Sequence, residues 1–414
     1  MKHTYTLIGL AGFLLCFAGC TKDFTYEKFT FYRPVYETKS AVKAAIKSGQ
    51  PAAIENPGKI YVKGNYVFLN DLNKGIHVID YSNPSLPVNK AFINLPGCRD
   101  IAVKGNFLYA DCYTDLVTVD ITNPDNVTLK NFINGVFPNR YYDMGIALDT
   151  GMVIMNWIRV DTMVKKETGV QEDWWNGTGI MFSNPGSLAS AGGGSQGNGV
   201  GGSMAAFALL DDRLYTVDNS NLKVFNTSSP ENPRYVSNVE LGSWRIETIF
   251  PFKDKLFIGS QNGMLIYSVV NPDRPSYLSA FQHATMCDPV IADGNTAYIT
   301  LRSGTRCVGI DNQLEVVDIQ NILSPQLRRT YPMTRPAGLS KDGNLLLVCD
   351  YTAGIKLFDA SNPDNLLQKA VLNNIDAYDV IAINGTAIVS ATDGIYFIAY
   401  SPTGLTVKGK INVD

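Results

Sequence analysis

Residues 75–87 read GIHVIDYSNPSLP, and near-copies stand at 115–127 (DLVTVDITNPDNV) and 354–366 (GIKLFDASNPDNL). In each copy an apolar stretch ends in Asp, and Asn-Pro follows after two further residues. Proline fixes its own φ and keeps the preceding residue extended, while Asn and Asp close turns through side-chain-to-backbone hydrogen bonds. The motif therefore predicts a strand that ends at a sharply defined turn.

The same strand recurs along the chain. Measured between their last residues, successive copies lie 40, 106, 42, 50, 41 and 40 residues apart. A period near 40 is typical of repeat architectures, and the long interval has room for one further degenerate unit, with GIMFSNP (179–185) as its remnant. The seven predicted strands are Ile76–Asp80, Leu116–Asp120, Leu222–Asn226, Met264–Ser268, Leu314–Asp318, Ile355–Asp359 and Ile395–Ala399.

A second signal precedes each of these strands, namely two apolar runs separated by a two-residue turn. Examples are IYVKGNYVFL (60–69) and VIADGNTAYI (290–299). Glycine in such a turn accepts positive φ and favours a tight hairpin. Eight hairpins are predicted, starting near Lys59, Arg99, Tyr142, Met204, Arg245, Cys287, Arg335 and Ala377.

Each unit thus contains four antiparallel strands in about 40 residues. One such sheet cannot bury both of its faces, so the units must stack, and we expect an all-β protein, a β-propeller over residues 57–414. Eight blades agree with the number of predicted hairpins. Seven blades is the alternative, if residues 141–203 form a decorated loop. We expect an insertion at about 161–203, between the second and third strands of blade three.

The segment LVTVDITNPDN (116–126) resembles the LVIVD repeat of propeller lipoproteins on bacterial, Bacteroides-type cell surfaces. The resemblance extends over residues 59–414, although IYFIAYSPTG near the C-terminus lacks both the Asp and the Asn. It implies a β-propeller at the cell surface and leaves the biochemical activity open.

The first twenty residues, MKHTYTLIGLAGFLLCFAGC, have a positive start and an apolar run from Leu7 to Ala18. This is the anatomy of a signal peptide, and the run is too short for a membrane span. Small residues before Cys20 resemble the lipobox of bacterial lipoproteins, although Phe17 stands where that motif usually has Leu. The resemblance implies a signal peptide at 1–19, acylation of Cys20 and an outer-membrane lipoprotein exposed at the cell surface. An ordinary signal peptide is the alternative.

Residues 20–56 lie between the predicted lipidation site and the first blade. They mix an aromatic stretch, a short helix predicted around 41–47 and a Pro-containing loop. The simplest role is a tether from the lipid to the propeller. Alternatively, part of the segment packs on the propeller and ties the ring shut.

Composition and cysteine spacing argue against two classes of ligand, nucleic acid and zinc. A net charge of −3 gives no reason to expect nucleic acid, and the absence of a CxxC spacing argues against a zinc site. No cofactor is predicted. Cys98 and Cys112 should lie nearly opposite each other on paired strands, which makes them a candidate disulfide. A Cys287–Cys307 pair and five isolated thiols are the alternatives.

Strand direction assigns the hairpin and Asn-Pro turns to one side, here the bottom, and the loops between blades to the other, the top. Loops on a rigid scaffold carry function. Trp174 and Trp175, in the insertion, are amphipathic surfaces suited to partners or sugars. The candidate ligand-binding residues of the top face are Arg99, Asp100, Tyr142, Asp143, Trp174, Trp175, Arg245, Glu247, Asp288, Arg335, Tyr378 and Asp379.

No catalytic template matches the sequence, and no catalytic or metal-binding residue is assigned. We expect a non-catalytic, lipid-anchored binding protein of the cell envelope whose ligand is an envelope protein or a glycan. The alternative is a carbohydrate-active enzyme with carboxylates in the central funnel. For the ring of charged residues, mutual pairing around a wet channel is the alternative to ligand binding.

The Cys20 prediction can be tested by metabolic labelling with a fatty acid. Cys20→Ala should abolish incorporation of the label and release the protein from the membrane fraction, because it removes the acylated thiol. Cys16→Ala is the matched control, since that cysteine leaves with the signal peptide. Label retained in the Cys20→Ala protein would contradict the prediction.

Overall fold

The computed structural model describes residues 24–138, 151–167, 200–243, 246–260, 262–282, 289–303 and 312–413. The chain divides into two compact units. The ribbon unit comprises residues 1–37 and 154–184, and the propeller unit comprises residues 38–153 and 185–414. The described part of the ribbon unit is a two-stranded sheet of β1 (Phe24–Thr38) and β11 (Met152–Glu167).

The propeller unit contains seven antiparallel blades within the described ranges. Blade one has β3 (Pro57–Lys63), β4 (Tyr66–Asp71), β5 (Gly75–Asp80) and β6 (Val88–Asn94). Blade two has β7 (Ile101–Lys104), β8 (Phe107–Cys112), β9 (Asp115–Asp120) and β10 (Thr128–Ile133). Blade three has β13 (Phe207–Leu210), β14 (Arg213–Asp218), β15 (Asn221–Asn226) and β16 (Arg234–Glu240). Blade four has β17 (Ile246–Phe252), β18 (Lys255–Ser260), β19 (Gly263–Ser268) and β20 (Ser276–Gln282).

The remaining three blades follow the same order. Blade five has β21 (Val290–Asp293), β22 (Thr296–Leu301), β23 (Gln313–Asp318) and β24 (Gln326–Pro332). Blade six has β25 (Leu339–Asp342), β26 (Leu345–Cys349), β27 (Ile355–Asp359) and β28 (Leu367–Leu372). Blade seven has β29 (Ala377–Ile383), β30 (Thr386–Ala391), β31 (Gly394–Ser401) and β32 (Gly404–Asn412). All seven strands predicted from the repeat are third strands of blades, which confirms the β-propeller.

The preferred count of eight blades is wrong, and the alternative of seven is correct. The hairpin predicted near Tyr142 is the source of the error, since that residue lies outside the described ranges and the chain after it continues as β11, which pairs with β1. The insertion is also misplaced in the prediction. It lies between β10 and β13, so it joins blades two and three rather than interrupting blade three.

The repeated motif builds two consecutive side-chain turns. In blade two, Asp120 Oδ1 accepts a hydrogen bond from the Thr122 N–H at 2.9 Å, and Asn123 Oδ1 accepts one from the Asp125 N–H at 3.1 Å. The Asn126 N–H then donates to the Asn123 carbonyl at 3.0 Å. Equivalent first bonds are accepted by Asp80, Asn226, Asp318 and Asp359.

These turns also bind the preceding blade. The Tyr109 hydroxyl of blade two donates to the Pro230 carbonyl in the turn of blade three at 2.8 Å. Tyr215 of blade three does the same to Pro272 of blade four at 2.9 Å. At these two steps a turn of fixed shape presents a backbone carbonyl to the preceding blade, which gives the repeated residues a role in packing between blades.

The ring closes without exchange of a strand between its two ends, because β29–β32 of blade seven are consecutive. Closure depends on face-to-face packing of Ile381 and Ile388 in blade seven with Val62 and Val67 in blade one. Each of these side chains is at most 2% exposed. Burying aliphatic side chains of this size stabilises a protein by about 1.5–3 kcal/mol each.

The segment before the first blade packs on the propeller. Helix α1 (Lys39–Ala45) begins after Thr38, whose hydroxyl accepts the Ala41 N–H, and strand β2 (Lys47–Gly49) pairs with β6. The Lys39 ammonium lies 2.8 Å from Asp115 of blade two. The segment therefore joins blades one and two, so it is more than a tether. In the described ranges no helix is long and apolar enough to cross a membrane.

Candidate functional site

Carboxylates hold two of the predicted top-face loops in place. Asp111, near the end of β8, accepts the N–H groups of Arg99 and Asp100 at 2.8 and 2.7 Å. Asp350, after β26, accepts those of Thr334 and Arg335 at 3.0 and 2.6 Å. A charged acceptor makes stronger hydrogen bonds to backbone N–H groups than a neutral one, so the top loops of blades two and six are rigid platforms.

A segment of the chain fills the centre of the ring. Residues 200–206, here called the channel segment, enter as β12 (Val200–Gly201), which pairs with β3 of blade one. The Ser203 hydroxyl accepts the Leu339 N–H of blade six, and the Ala205 carbonyl accepts the Ile249 N–H of blade four at 2.9 Å. The segment thus contacts inner strands on opposite sides of the ring, and the central funnel is occupied by the protein's own backbone.

Asp100 lies inside this arrangement rather than on an open surface. It is 0% exposed, its carboxylate lies 2.5 Å from the Lys59 ammonium, and it accepts the Ala206 N–H of the channel segment. A buried carboxylate is stabilised by such pairing. The predicted ligand-binding residue therefore holds the channel segment against blades one and two.

Asp379 is the second buried acid at the centre. Its Oδ1 accepts the Val380 N–H at 2.9 Å, whereas Oδ2 has no hydrogen-bond partner among the described residues. A Cβ added to Gly202 would lie 2.2 Å from Oδ2, so the channel segment needs glycine there. Burial raises the pKa of Asp379 to about 8, with the Val380 N–H and Lys59 opposing the shift. Burial therefore favours the protonated form of this carboxyl group.

The remaining predicted residues are divided between structural, surface and undescribed positions. Tyr378 is buried, and its hydroxyl donates to the Pro57 carbonyl of blade one at 2.5 Å. Arg99 and Glu247 are half-buried at the top. The residues that lie outside the described ranges are Cys20, Tyr142, Asp143, Trp174, Trp175, Arg245 and Asp288.

Arg335 belongs to a cationic and aromatic cluster on the top of blades five and six. Its exposed guanidinium lies 4.6 Å from the centre of the Tyr351 ring. The buried Arg302 guanidinium lies 6.0 Å from the same ring. Positive charge over an aromatic face is attractive, so both guanidinium groups pack near the Tyr351 ring, and the exposed Arg335 is the member of the cluster that was predicted from the sequence.

An open cleft of about 440 Å³ lies between blades three and four. The loop from Glu240 to Ser243 forms one wall, and Asn262 and Gln282 stand at the top of the other. The cleft continues along the outer strands of blade four to Tyr267 and Tyr277, whose rings pack edge to face at 5.7 Å. Its volume and its combination of aromatic rings with polar groups suit a small hydroxyl-rich or peptide ligand.

The cleft could not be predicted from the sequence, because its residues occupy repeat positions. Tyr277 has an equivalent in blade three, Tyr235, which packs on Phe225 in the same geometry at 5.8 Å. Nothing in the repeat distinguishes the two tyrosines, since the cleft arises from the shape of the loop between the blades. Lys59 and the channel segment were also missed.

The candidate disulfide is not formed in the structure. Cys98 and Cys112 are buried and are not joined to each other. Cys98 lies in the turn that precedes β7, where its thiol donates to the Asp100 carbonyl at 3.7 Å, and the Cys112 thiol donates to the Pro96 carbonyl at 3.3 Å. The turn displaces Cys98 from a position opposite Cys112. Burial raises the pKa of Cys112 to about 12, which makes its thiol a poor nucleophile.

Metal binding receives no support from the described residues, in which no cluster of three or more His, Cys, Asp or Glu side chains could hold an ion. His77 is fully buried, lies 3.3 Å from Asp71 and packs on Phe92. The described propeller is therefore a scaffold with an occupied centre and an accessible top face.

The class of protein follows from the seven blades and from the repeat itself. Residues 57–94 and 97–134, which contain blades one and two, match the model of the LVIVD repeat. The protein is thus a seven-bladed β-propeller that contains LVIVD repeats. No curated protein matches the sequence.

Solved structures that resemble this chain are distant in sequence. The computationally designed Ika8 protein is 11% identical, with a TM-score of 0.50 over 87% of this chain and 89% of that one. Kluyveromyces lactis Hsv2 is 10% identical, with a TM-score of 0.38 over 72% of this chain and 71% of that one. At this level of identity the similarity concerns the fold alone.

The raised pKa of Asp379 predicts that the stability of the folded protein depends on pH. Between about pH 4 and 8 the unfolded chain ionises this carboxyl group while the folded protein keeps it protonated, so stability falls as pH rises. Asp379→Asn mimics the neutral acid and should gain stability relative to wild type by up to about 1.4 kcal/mol per pH unit. Urea unfolding at about pH 5, 6 and 7 measures this difference.

Asp120→Asn is the contrasting variant. Hydrogen bonds from the side chain and backbone of Thr122 lower the pKa of Asp120, so its removal should bring no gain as pH rises. A stability difference between Asp379→Asn and wild type that stays constant with pH would show that Asp379 is ionised in the folded protein.

Proposed function

We propose that this protein is a lipid-anchored, non-catalytic binding protein of the cell envelope that recognises an envelope protein or a glycan through its top face. The observation that carries the proposal is the open cleft between blades three and four, on the same side as the Arg335–Tyr351 cluster. The anchor is Cys20, as the sequence predicts, and it directs the protein to the outer membrane with the propeller exposed at the cell surface.

The accessible chemistry of the cleft, which runs from the top of blades three and four down to Tyr277 in the lower part of β20, suits binding. Tyr277 is 57% exposed and offers a ring on which a sugar or an apolar side chain can stack. Asn262 and Gln282 offer amide donors and acceptors at the top of the cleft. Rigid loops lose little conformational entropy when a ligand binds, and the carboxylate-fixed loops of blades two and six meet that requirement.

The alternative, a carbohydrate-active enzyme, would need acids in an open funnel. Asp379 has the raised pKa expected of a general acid. It is nevertheless 0% exposed, as is Asp100, and the channel segment covers both. A substrate would have to displace residues 200–206 to reach either carboxylate, so the binding function is favoured.

The proposal can be tested by capture of partners from solubilised envelopes on immobilised protein. Tyr277→Ala should weaken binding of a specific partner by about thirtyfold or more, because hot-spot tyrosines at interfaces contribute about 2 kcal/mol or more. Tyr235→Ala is the matched control, since Tyr235 occupies the same repeat position, is 54% exposed and does not line the cleft.

A Trp174→Ala, Trp175→Ala variant tests the insertion in the same assay. Capture that depends on Tyr277 but not on Tyr235 supports the cleft. An identical set of captured partners for wild type, the Tyr277 variant and the tryptophan variant would reject both parts of the proposed top-face site.

A further inference from the structure

The ribbon unit exposes an unusual number of large apolar side chains. Eight of the seventeen exposed large hydrophobic residues found in the described ranges belong to β1 and β11. An isolated two-stranded sheet is marginally stable in water, because neither of its faces is covered. The eight residues are Tyr26, Phe29, Phe31, Tyr32, Tyr36, Met155, Ile158 and Met163.

The two faces of the ribbon differ in chemistry. Side chains alternate between the faces of a strand, so the stacked rings of Phe29 and Phe31, 6.4 Å apart, lie opposite Thr30. The Thr30 hydroxyl donates to Asp161 of β11 at 2.7 Å, which assigns Asp161 to the Thr30 face. Ile158 therefore shares the face of the two phenylalanines. The same alternation assigns the other five exposed residues, Tyr26, Tyr32, Tyr36, Met155 and Met163, to the Thr30 face.

On the Thr30 face two cationic side chains surround one carboxylate. Lys28 and Arg159 lie 2.8 and 3.2 Å from the Asp161 carboxylate. Hydrogen bonds from Lys28 and then Thr30 lower the pKa of Asp161, so the carboxylate stays ionised and paired. Both faces of the ribbon are therefore partly apolar. Phe29, Phe31 and Ile158 carry no polar atom, whereas the Thr30 face combines tyrosine hydroxyls with charged groups, so association through the phenylalanine face should be hydrophobic rather than electrostatic.

The position of the ribbon in the chain identifies the partner. β1 begins at Phe24, four residues after Cys20, and four residues span at most about 14 Å. An acyl chain on Cys20 would keep the start of the ribbon within that distance of the bilayer surface. Aromatic side chains are enriched at this depth, where an apolar ring meets hydrated headgroups.

We propose that the ribbon of β1 and β11 docks on the surface of a phospholipid bilayer, with Phe29, Phe31 and Ile158 inserted between the headgroups. The identity of the partner rests on the proposed anchor at Cys20. The contact would add to the membrane affinity that the lipid provides. A single acyl chain binds a bilayer only weakly, and stable anchoring needs a second contact with the membrane.

The test uses a chain that starts at Thr21, which keeps every described residue and lacks Cys20. Its flotation with vesicles of phosphatidylethanolamine and phosphatidylglycerol should be unchanged between about 0.1 M and about 0.5 M NaCl, since the contact is not electrostatic. Phe29→Ser, Phe31→Ser should lower the partition coefficient by about tenfold or more. Tyr26→Ser, Tyr32→Ser removes two aromatic rings from the opposite face and should lower it by less than about threefold.

Phe29→Leu, Phe31→Leu separates loss of the apolar face from loss of the ribbon. It keeps an apolar face and should retain binding within about threefold of wild type. The proposal is overturned by absence of wild-type binding or by equal losses in the two serine variants. It is also overturned by a concentration-dependent dimer in sedimentation that disappears in Phe29→Ser, Phe31→Ser, because that result assigns the face to a second copy.

Failure of this inference and failure of the proposed function give different results. Vesicle binding by the chain that lacks Cys20, together with absence of fatty-acid label on the full chain, would reject the anchor and retain the ribbon contact. Labelled Cys20 without vesicle binding by the Thr21 chain would reject the ribbon contact alone.

Discussion

A single four-stranded sheet cannot bury both of its apolar faces by itself, and this constraint determines the architecture. The third strands are buried on both faces, as the consecutive pairs Val78 and Ile79, Val224 and Phe225, and Val316 and Val317 show, with every side chain 0% exposed. Burial on both sides requires a neighbour on each side, and only a closed ring supplies one to every sheet. The aliphatic contact between blades seven and one is therefore what completes the fold, since the two blades share no strand.

Closure of the ring leaves a central space, and the channel segment fills it. Its contacts reach blades one, two, four and six, and Met204 is buried among side chains of blades six and seven. The carboxyl groups of Asp100 and Asp379, which point to the centre, are buried against this segment. Recognition is thereby left to the top loops and to the cleft between blades, where surfaces differ from one blade to the next.

Much of the fold could be predicted from the repeat, because a strand, an Asp and an Asn-Pro turn report local hydrogen bonding directly. The count of blades could not. The sequence around residues 142–167 has the same paired apolar runs as a blade hairpin, but periodicity does not specify which strand is the partner. Here the partner is β1, more than one hundred residues earlier in the chain.

The site was harder to predict than the fold. GVGGSMA (199–205) has the composition of a flexible linker. In the structure, however, Gly202 is required by its close approach to Asp379, and Val200 and Gly201 pair with β3. Arg335 was found because it begins a blade. Tyr351 and Tyr277 were missed because their roles depend on neighbours that are distant in the sequence.

Hydrogen exchange of residues 200–206 tests most directly whether the centre of the ring is filled. The Gly202 N–H donates to the Ile60 carbonyl at 3.1 Å and the Ala206 N–H donates to Asp100. These two amides should exchange about a thousandfold more slowly than those of an unstructured peptide, as strand amides do. Exchange at the rate of a free glycine-rich loop would contradict the occupied centre and return Asp100 and Asp379 to an open funnel.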